Sequence, residues 1–183
     1  MKKISSLVLS FFAIFALFAN CSKNDNSASA RIERGKKLVL VGGCSDCHTP
    51  KTMTPQGPVP DDSKFLAGYL ETNRLPDYKS FQNTPWLLFT GDLTAVVGPW
   101  GVSFAKNLTP DKETGIGGWT EDMFVQTVRT QKRMGVGRSI LPPMGPIFAA
   151  NLSALNDDEL KDIFAYLKSI KPVRNQVPEP ILH

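Results

Sequence analysis

Histidine is nearly missing from this sequence: two occur in 183 residues, His48 and His183. Cysteine is almost as rare, with three. A structural zinc needs four nitrogen or sulfur ligands. One pair, Cys44 and Cys47, with His48 and a chain-terminal His183, does not supply a convincing set. Charge of one sign is also scarce. The formal net charge is +4, and two of those lysines, Lys2 and Lys3, belong to an N-terminal segment expected to be removed. Without them, 19 basic side chains exceed 17 acidic ones by two. No Lys/Arg-rich run carries interleaved aromatics, so nothing points to nucleic acid. No internal repeat is present. Apolar residues make up 42% of the chain, which is ordinary for a globular domain with a real core.

The longest apolar run, Leu7 to Ala19, is broken by Ser10 and is short for a membrane span. It follows Met1-Lys2-Lys3 and reads as a targeting segment. Phe18-Ala19-Asn20-Cys21, followed by the polar stretch Ser22 to Ser27, resembles a bacterial lipoprotein signal. In such a signal the cysteine becomes the lipidated first residue. Phe18 and Asn20 depart from the Leu and the Gly or Ala usual at those places. The other reading is an ordinary secretory signal with an incidental Cys21. Cys21 is the odd cysteine out, and a free thiol is unwelcome outside the cell. The expectation is a signal peptide over 1–20, lipidation of Cys21, a flexible Ser/Asn-rich tether over 21–30 and a folded domain over 31–183. The protein is then extracytoplasmic and anchored to a bacterial membrane, facing the periplasm or the exterior.

Three helices stand out. The first is expected over Arg31–Val41, with Ile32, Leu38, Val39 and Val41 on its apolar side and Gly42-Gly43 ending it. The second starts at Thr120, a good N-cap. Glu121 and Asp122 suit its positive end, and Phe124, Val125 and Val128 supply its buried side. The third is capped by Asn156, with Glu159 completing a capping box. Leu160, Ile163, Phe164 and Leu167 then follow the spacing of one helical face, and Pro172 stops it. Between His48 and Thr120 lies a long Pro/Gly/aromatic stretch, read as loop with short helical pieces. It is too apolar for a disordered linker and is expected to pack on the domain. The tail from Val173 to His183 is expected to run extended over the surface.

Cys44-Ser45-Asp46-Cys47-His48 is the C-x-x-C-H pattern of haem attachment. Two thiols three positions apart can each add to one of two neighbouring vinyl groups on a porphyrin edge. The next residue then places an imidazole under the iron. A thioredoxin-like pair would sit at a helix N-terminus in a βαβ setting; here a helix precedes the pair and no strands are evident. A plain disulfide is the remaining alternative. Iron held by His48 needs a second axial ligand, and His183 sits at a chain end. Met53 is very close to His48 in sequence, Met123 lies in the first turn of a helix, and Met134 lies in a polar turn. Met144, in Leu141-Pro142-Pro143-Met144-Gly145-Pro146, is fixed by three prolines and is the first choice, with Met134 second.

From Arg31 to about Pro180 the chain resembles class I cytochromes c. In that family an N-terminal helix leads into C-x-x-C-H, a Pro-flanked Met supplies the sixth ligand, and a C-terminal helix crosses the first. Gly35 and Tyr166 stand where a glycine and an aromatic ring pair at that crossing. Asn107-Leu108-Thr109-Pro110-Asp111, Thr114 to Thr120 and Leu141 to Met144 resemble a bacterial branch. That branch includes monohaem cytochromes, free or lipid-anchored, and cytochrome subunits of dehydrogenases. The resemblance implies an all-α class I cytochrome c fold with a long loop-rich insertion, about 51–106, between the haem motif and the second main helix. It implies one covalent haem c on Cys44 and Cys47, with His48 and Met144 on the iron. Trp100, Phe104, Trp119 and Ile140 are candidate pocket lining, and Asn107 or Arg138 a candidate propionate partner. The expected function is single-electron transfer between a redox protein donor and an acceptor. The alternative is an electron-accepting subunit of a periplasmic dehydrogenase complex. A peroxidase-like enzyme would need an open iron position and a distal acid or base, so no enzyme activity is expected.

Overall fold

The computed structural model describes residues 25–81 and 84–182. The signal segment, Cys21 and His183 lie outside the described residues. Helix α1 spans Ala28–Val41, with Ser27 Oγ accepting the Ala30 amide at 3.3 Å. It begins three residues before the expected Arg31, because Ser27 provides a cap ahead of Ala28 and Ala30, good helix formers. Gly42 ends it with its N–H donating to the Leu38 carbonyl at 2.8 Å, and Gly43 turns the chain at φ +66°. A five-residue helix, α2, follows at Cys44–His48.

The next segment overturns the all-α expectation. Among the described residues there are six strands in two antiparallel sheets, so the chain is mixed α/β. Strands β1 (Lys51–Thr54) and β2 (Gly57–Pro60) form a hairpin. Strands β3 (Leu88–Phe89), β4 (Ala95–Gly98), β5 (Gly101–Phe104) and β6 (Ile181–Leu182) form a four-stranded sheet in that spatial order. Ala95-Val96-Val97-Gly98 and Gly101-Val102-Ser103-Phe104 are short, Val-rich and bounded by glycine. Pro99 and Trp100 alone connect them, which is a hairpin arrangement. Every residue of β4 and β5 is buried. The tail also departs from expectation: Ile181 pairs with Val102 and Leu182 with Gly101, so it completes the sheet.

Helices α3 (Glu121–Thr130), α4 (Met144–Ala150) and α5 (Asp157–Ser169) complete the described set. Thr120 Oγ1 accepts the Met123 amide at 3.2 Å, the expected cap. Asn156 and Glu159 form the expected capping box on α5. Leu160, Ile163, Phe164 and Leu167 are all buried, as their spacing predicts, and join Val39, Val125 and Val128 in one core. A second core of Tyr69, Ala95, Val97, Val102, Phe104 and Val177 lies on the sheet, with the Tyr69 and Phe104 rings 4.8 Å apart.

Helices α1 and α5 cross at Gly35, where a side-chain carbon would overlap the Asp162 carbonyl. Tyr166 lies one turn further along α5, so the glycine meets backbone there. The Asp162 carboxylate is buried at the same crossing. It accepts from Arg31 Nε at 3.0 Å and Arg34 Nε at 2.6 Å, while Arg31 Nη2 reaches Glu121 at 2.7 Å. Two carboxylates and two guanidinium groups thus tie α1 to both α5 and α3. The buried Asn175 amide fastens the tail by donating to the Ala67 and Tyr69 carbonyls at 2.8 and 2.9 Å. Among the described residues no helix is long and apolar enough to cross a membrane.

Candidate haem-attachment site

Helix α2 brings Cys44, Cys47 and His48 onto little more than one turn. Cys44 and Cys47 are free thiols, each half-buried. Burial pushes both thiols above their ordinary pKa, with smaller contributions from neighbouring acidic groups. Lys51 offsets part of this at Cys47. A redox-active pair has the opposite character, with a thiol lowered toward the thiolate. Among the described residues no three His, Cys, Asp or Glu side chains cluster to hold a metal ion.

His48 is only 6% exposed. Its Nδ1 lies 2.7 Å from the Lys106 carbonyl oxygen. A carbonyl can only accept, so Nδ1 carries the hydrogen. Burial lowers the imidazole pKa, against a smaller upward effect of that hydrogen bond, and so favours the neutral ring. In the neutral ring a hydrogen on Nδ1 leaves the Nε2 lone pair available. No buried polar side-chain atom among the described residues lacks a hydrogen-bond partner. Among the described residues, the ring's hydrogen bond is the one made by Nδ1. This is the second-sphere arrangement that orients a ligating histidine.

The insertion builds this setting. Gly68 N–H donates to the His48 carbonyl at 2.7 Å, and Leu66 N–H donates to Thr49 Oγ1 at 3.1 Å. Lys106, at the end of β5, supplies the carbonyl for Nδ1. Gly68, at φ +79°, passes so close to Ala105 and Lys106 that a side chain would strike their backbone. Lys51 Nζ donates to the Asp46 carbonyl, to that of Thr49 at 3.2 Å and to that of Asp92 at 2.8 Å. None of these partners is visible as a motif. The His48–Lys106 bond spans 58 residues and uses a backbone carbonyl, which any residue carries.

Met144 is the first residue of α4 and is half-buried. The stiff loop therefore ends at Pro143. Met123 is half-buried in the first turn of α3. Met53 is 61% exposed on β1, and Met134 is 37% exposed in a turn at φ +55°. Among the four candidate methionines, Met123 and Met144 are the better covered.

Of the candidate lining residues, Trp119 packs against the helical core and Phe104 belongs to the sheet core. Trp100 Nε1 donates to Ser103 Oγ at 2.8 Å, and Ile140 is half-buried. Asn107 does not suit a propionate. Its amide donates to Val173 and Thr114, and its oxygen accepts from Thr109 N–H and Oγ1 at 2.9 and 2.7 Å. Arg138 lies 3.7 Å from Glu179 and retains partial exposure.

No protein-family model matches the chain. It is 29% identical over 175 residues to the gluconate 2-dehydrogenase cytochrome c subunit of Pantoea cypripedii, covering 94% of this chain and 30% of that protein. It is 28% identical over 155 residues to the fructose dehydrogenase cytochrome subunit of Gluconobacter japonicus, covering 81% of this chain and 24% of that one. It is also 25% identical over 170 residues to the cytochrome c subunit of the quinone-dependent alcohol dehydrogenase of Gluconobacter oxydans, covering 91% of this chain and 27% of that one. The chain thus spans less than a third of the length of each of these curated relatives. The chain is thus similar to part of the cytochrome subunits of several bacterial dehydrogenases.

Proposed function

We propose that this chain is a single-electron carrier holding one haem c on Cys44 and Cys47, with His48 Nε2 and the Met144 thioether as axial ligands. The observation that carries the reading is the His48 Nδ1 bond to Lys106. It fixes the tautomer that presents Nε2 as a lone pair, beside two unpaired thiols on the same short helix. The donor set fits a haem: two sulfurs for covalent attachment, one imidazole for the iron and a thioether elsewhere in the fold. A bound haem supplies one-electron Fe(III)/Fe(II) chemistry, and His/Met ligation favours a high potential. The protein's part is to hold the imidazole through the Lys106 carbonyl and the His48 backbone through Gly68, and to keep water from the apolar side of the motif. Cys44, Leu38, Phe65 and Trp119 pack there against the helical core.

The test is a reduced-minus-oxidised spectrum of matured protein, with haem quantified per chain after acid–acetone extraction. Colour that stays with the polypeptide at one haem per chain supports the reading; colourless or fully extractable material ends it. Met144→Ala is expected to keep the haem attached but turn the iron high-spin and open to small ligands. An unchanged low-spin spectrum in that variant would remove Met144 as the sixth ligand.

The second reading, an electron-accepting subunit docked on a dehydrogenase, is favoured by the names of the relatives. Co-purification with a catalytic chain at fixed stoichiometry separates it from a free carrier. We also propose that Cys21 is lipidated and holds the protein at a bacterial membrane, facing the periplasm or the exterior. Multiple acyl chains bury enough CH2 groups for stable attachment. Cys21→Ala is expected to move the protein from the membrane pellet to the supernatant; retention after a salt wash would count against the anchor.

A further inference from the structure

We propose that Lys51 is a positioning residue. Its ammonium, caged by the carbonyl oxygens of Asp46, Thr49 and Asp92, holds one fixed positive charge against the attachment helix and raises the reduction potential of the haem bound there. The proposal rests on the haem reading above. An ammonium has three N–H donors, and the cage supplies three carbonyl acceptors. The charge therefore has a defined position, unlike that of a lysine swinging in solvent. Asp46 lies inside the C-x-x-C-H motif and Thr49 directly follows it. A cation at that end also suits the negative pole of the short helix.

The third acceptor makes the cage a joint between two parts of the fold. Asp92 belongs to the turn between β3 and β4. Its carboxylate is occupied inside that turn, accepting from Thr90 Oγ1 at 2.7 Å, Thr94 N–H at 3.1 Å and Thr94 Oγ1 at 2.8 Å. The Asp92 side chain is thus committed to its own turn, and its backbone carbonyl is what faces Lys51. Among the ion pairs of the described residues none includes Lys51. Among the described residues no carboxylate pairs directly with it, and partial burial limits screening by salt.

The sign follows from charge. The ferric centre carries one more positive charge than the ferrous centre, so a fixed cation nearby disfavours the ferric form. Removing the cation therefore lowers the potential. Unit charges at close range in a partly screened protein interact strongly enough to shift an equilibrium severalfold, and the carbonyl dipoles reduce this.

The experiment uses matured, haem-loaded full-length protein and a mediated redox titration. In Lys51→Met, the ferric-to-ferrous ratio at the wild-type midpoint is expected to rise about three- to tenfold. That corresponds to roughly 30–60 mV at 59 mV per tenfold for one electron. The low-spin spectrum should be retained, and Lys51→Arg should restore at least half of the shift. Lys51→Gln is measured alongside, so that failure of one neutral variant to fold leaves the other. A midpoint unchanged within twofold in a folded neutral variant would overturn the proposal. So would failure of both neutral variants to fold, which would assign Lys51 to stability alone. A wild-type protein without covalent haem would instead end the haem reading itself, a distinguishable result.

Discussion

Replacing both attachment cysteines with serine is expected to take covalently held haem from one per chain to none. A serine hydroxyl is a poor substitute for the thiol that adds to a porphyrin vinyl group, so neither thioether forms. Haem staining of a denaturing gel measures this directly, because only a bonded haem survives unfolding. The single variants Cys44→Ser and Cys47→Ser keep one site each and should retain some stain. The double variant should also be less stable. Cys44 packs against the helical core, as do Leu38 and Phe65, and loss of the proposed haem would leave apolar surface exposed at about 25 cal/mol per Å2. Persistent stain at wild-type intensity in the double variant would falsify the assignment of these two thiols.

Gly35→Ala is the second large effect, and it acts on the fold. A methyl group at this position would overlap the Asp162 carbonyl and lie 3.0 Å from the Ile163 amide nitrogen. Both obstacles are backbone in α5, so no side chain can rotate aside. Relief requires α1 and α5 to separate, which loosens the shared core and pulls Arg31 and Arg34 from Asp162. Overpacking of this kind costs about 3 kcal/mol or more. Alanine gains up to about 1 kcal/mol over glycine inside a helix, so the clash prevails. About 2 kcal/mol or more of destabilisation remains, so a fall in Tm of roughly 4–8 °C or more is expected for a domain of this size. Gly118→Ala is the control, since its added carbon would have only the Lys112 carbonyl oxygen at 4.0 Å. If Gly35→Ala melts no lower than Gly118→Ala, the close crossing of α1 and α5 is not what the chain requires at this position.

The helical part of this fold was legible because its signals are short-range. Thr120 and Asn156 each cap a helix through an amide three residues away, and the face from Leu160 to Leu167 repeats within two turns, whereas the Ser27 cap that starts α1 at Ala28 went unread. The sheet was less legible. The strands are only two to four residues long, and glycine, proline and aromatics crowd them into what reads as loop. The Val-rich pair Ala95–Gly98 and Gly101–Phe104 was the available clue. The pairing of Ile181 and Leu182 with β5 carried no local mark, since its partner lies about 80 residues earlier. Asn107 illustrates the same gap. Its position near the resembling motifs suggested a ligand contact, whereas its buried amide is spent holding Val173 and Thr114.

Residue order was enough to specify the attachment pattern Cys44-Ser45-Asp46-Cys47-His48, the main helices and the scarcity of other ligands. Each depends on residue identities a few positions apart, where chain connectivity already sets the distance. Folding in three dimensions settled which nitrogen of His48 is left open, which carbonyls cage Lys51 and that the intervening segment forms sheet. Those outcomes depend on backbone groups that every residue possesses, brought together by closing loops of tens of residues. No side-chain alphabet encodes such a meeting until the cores on both sides have packed.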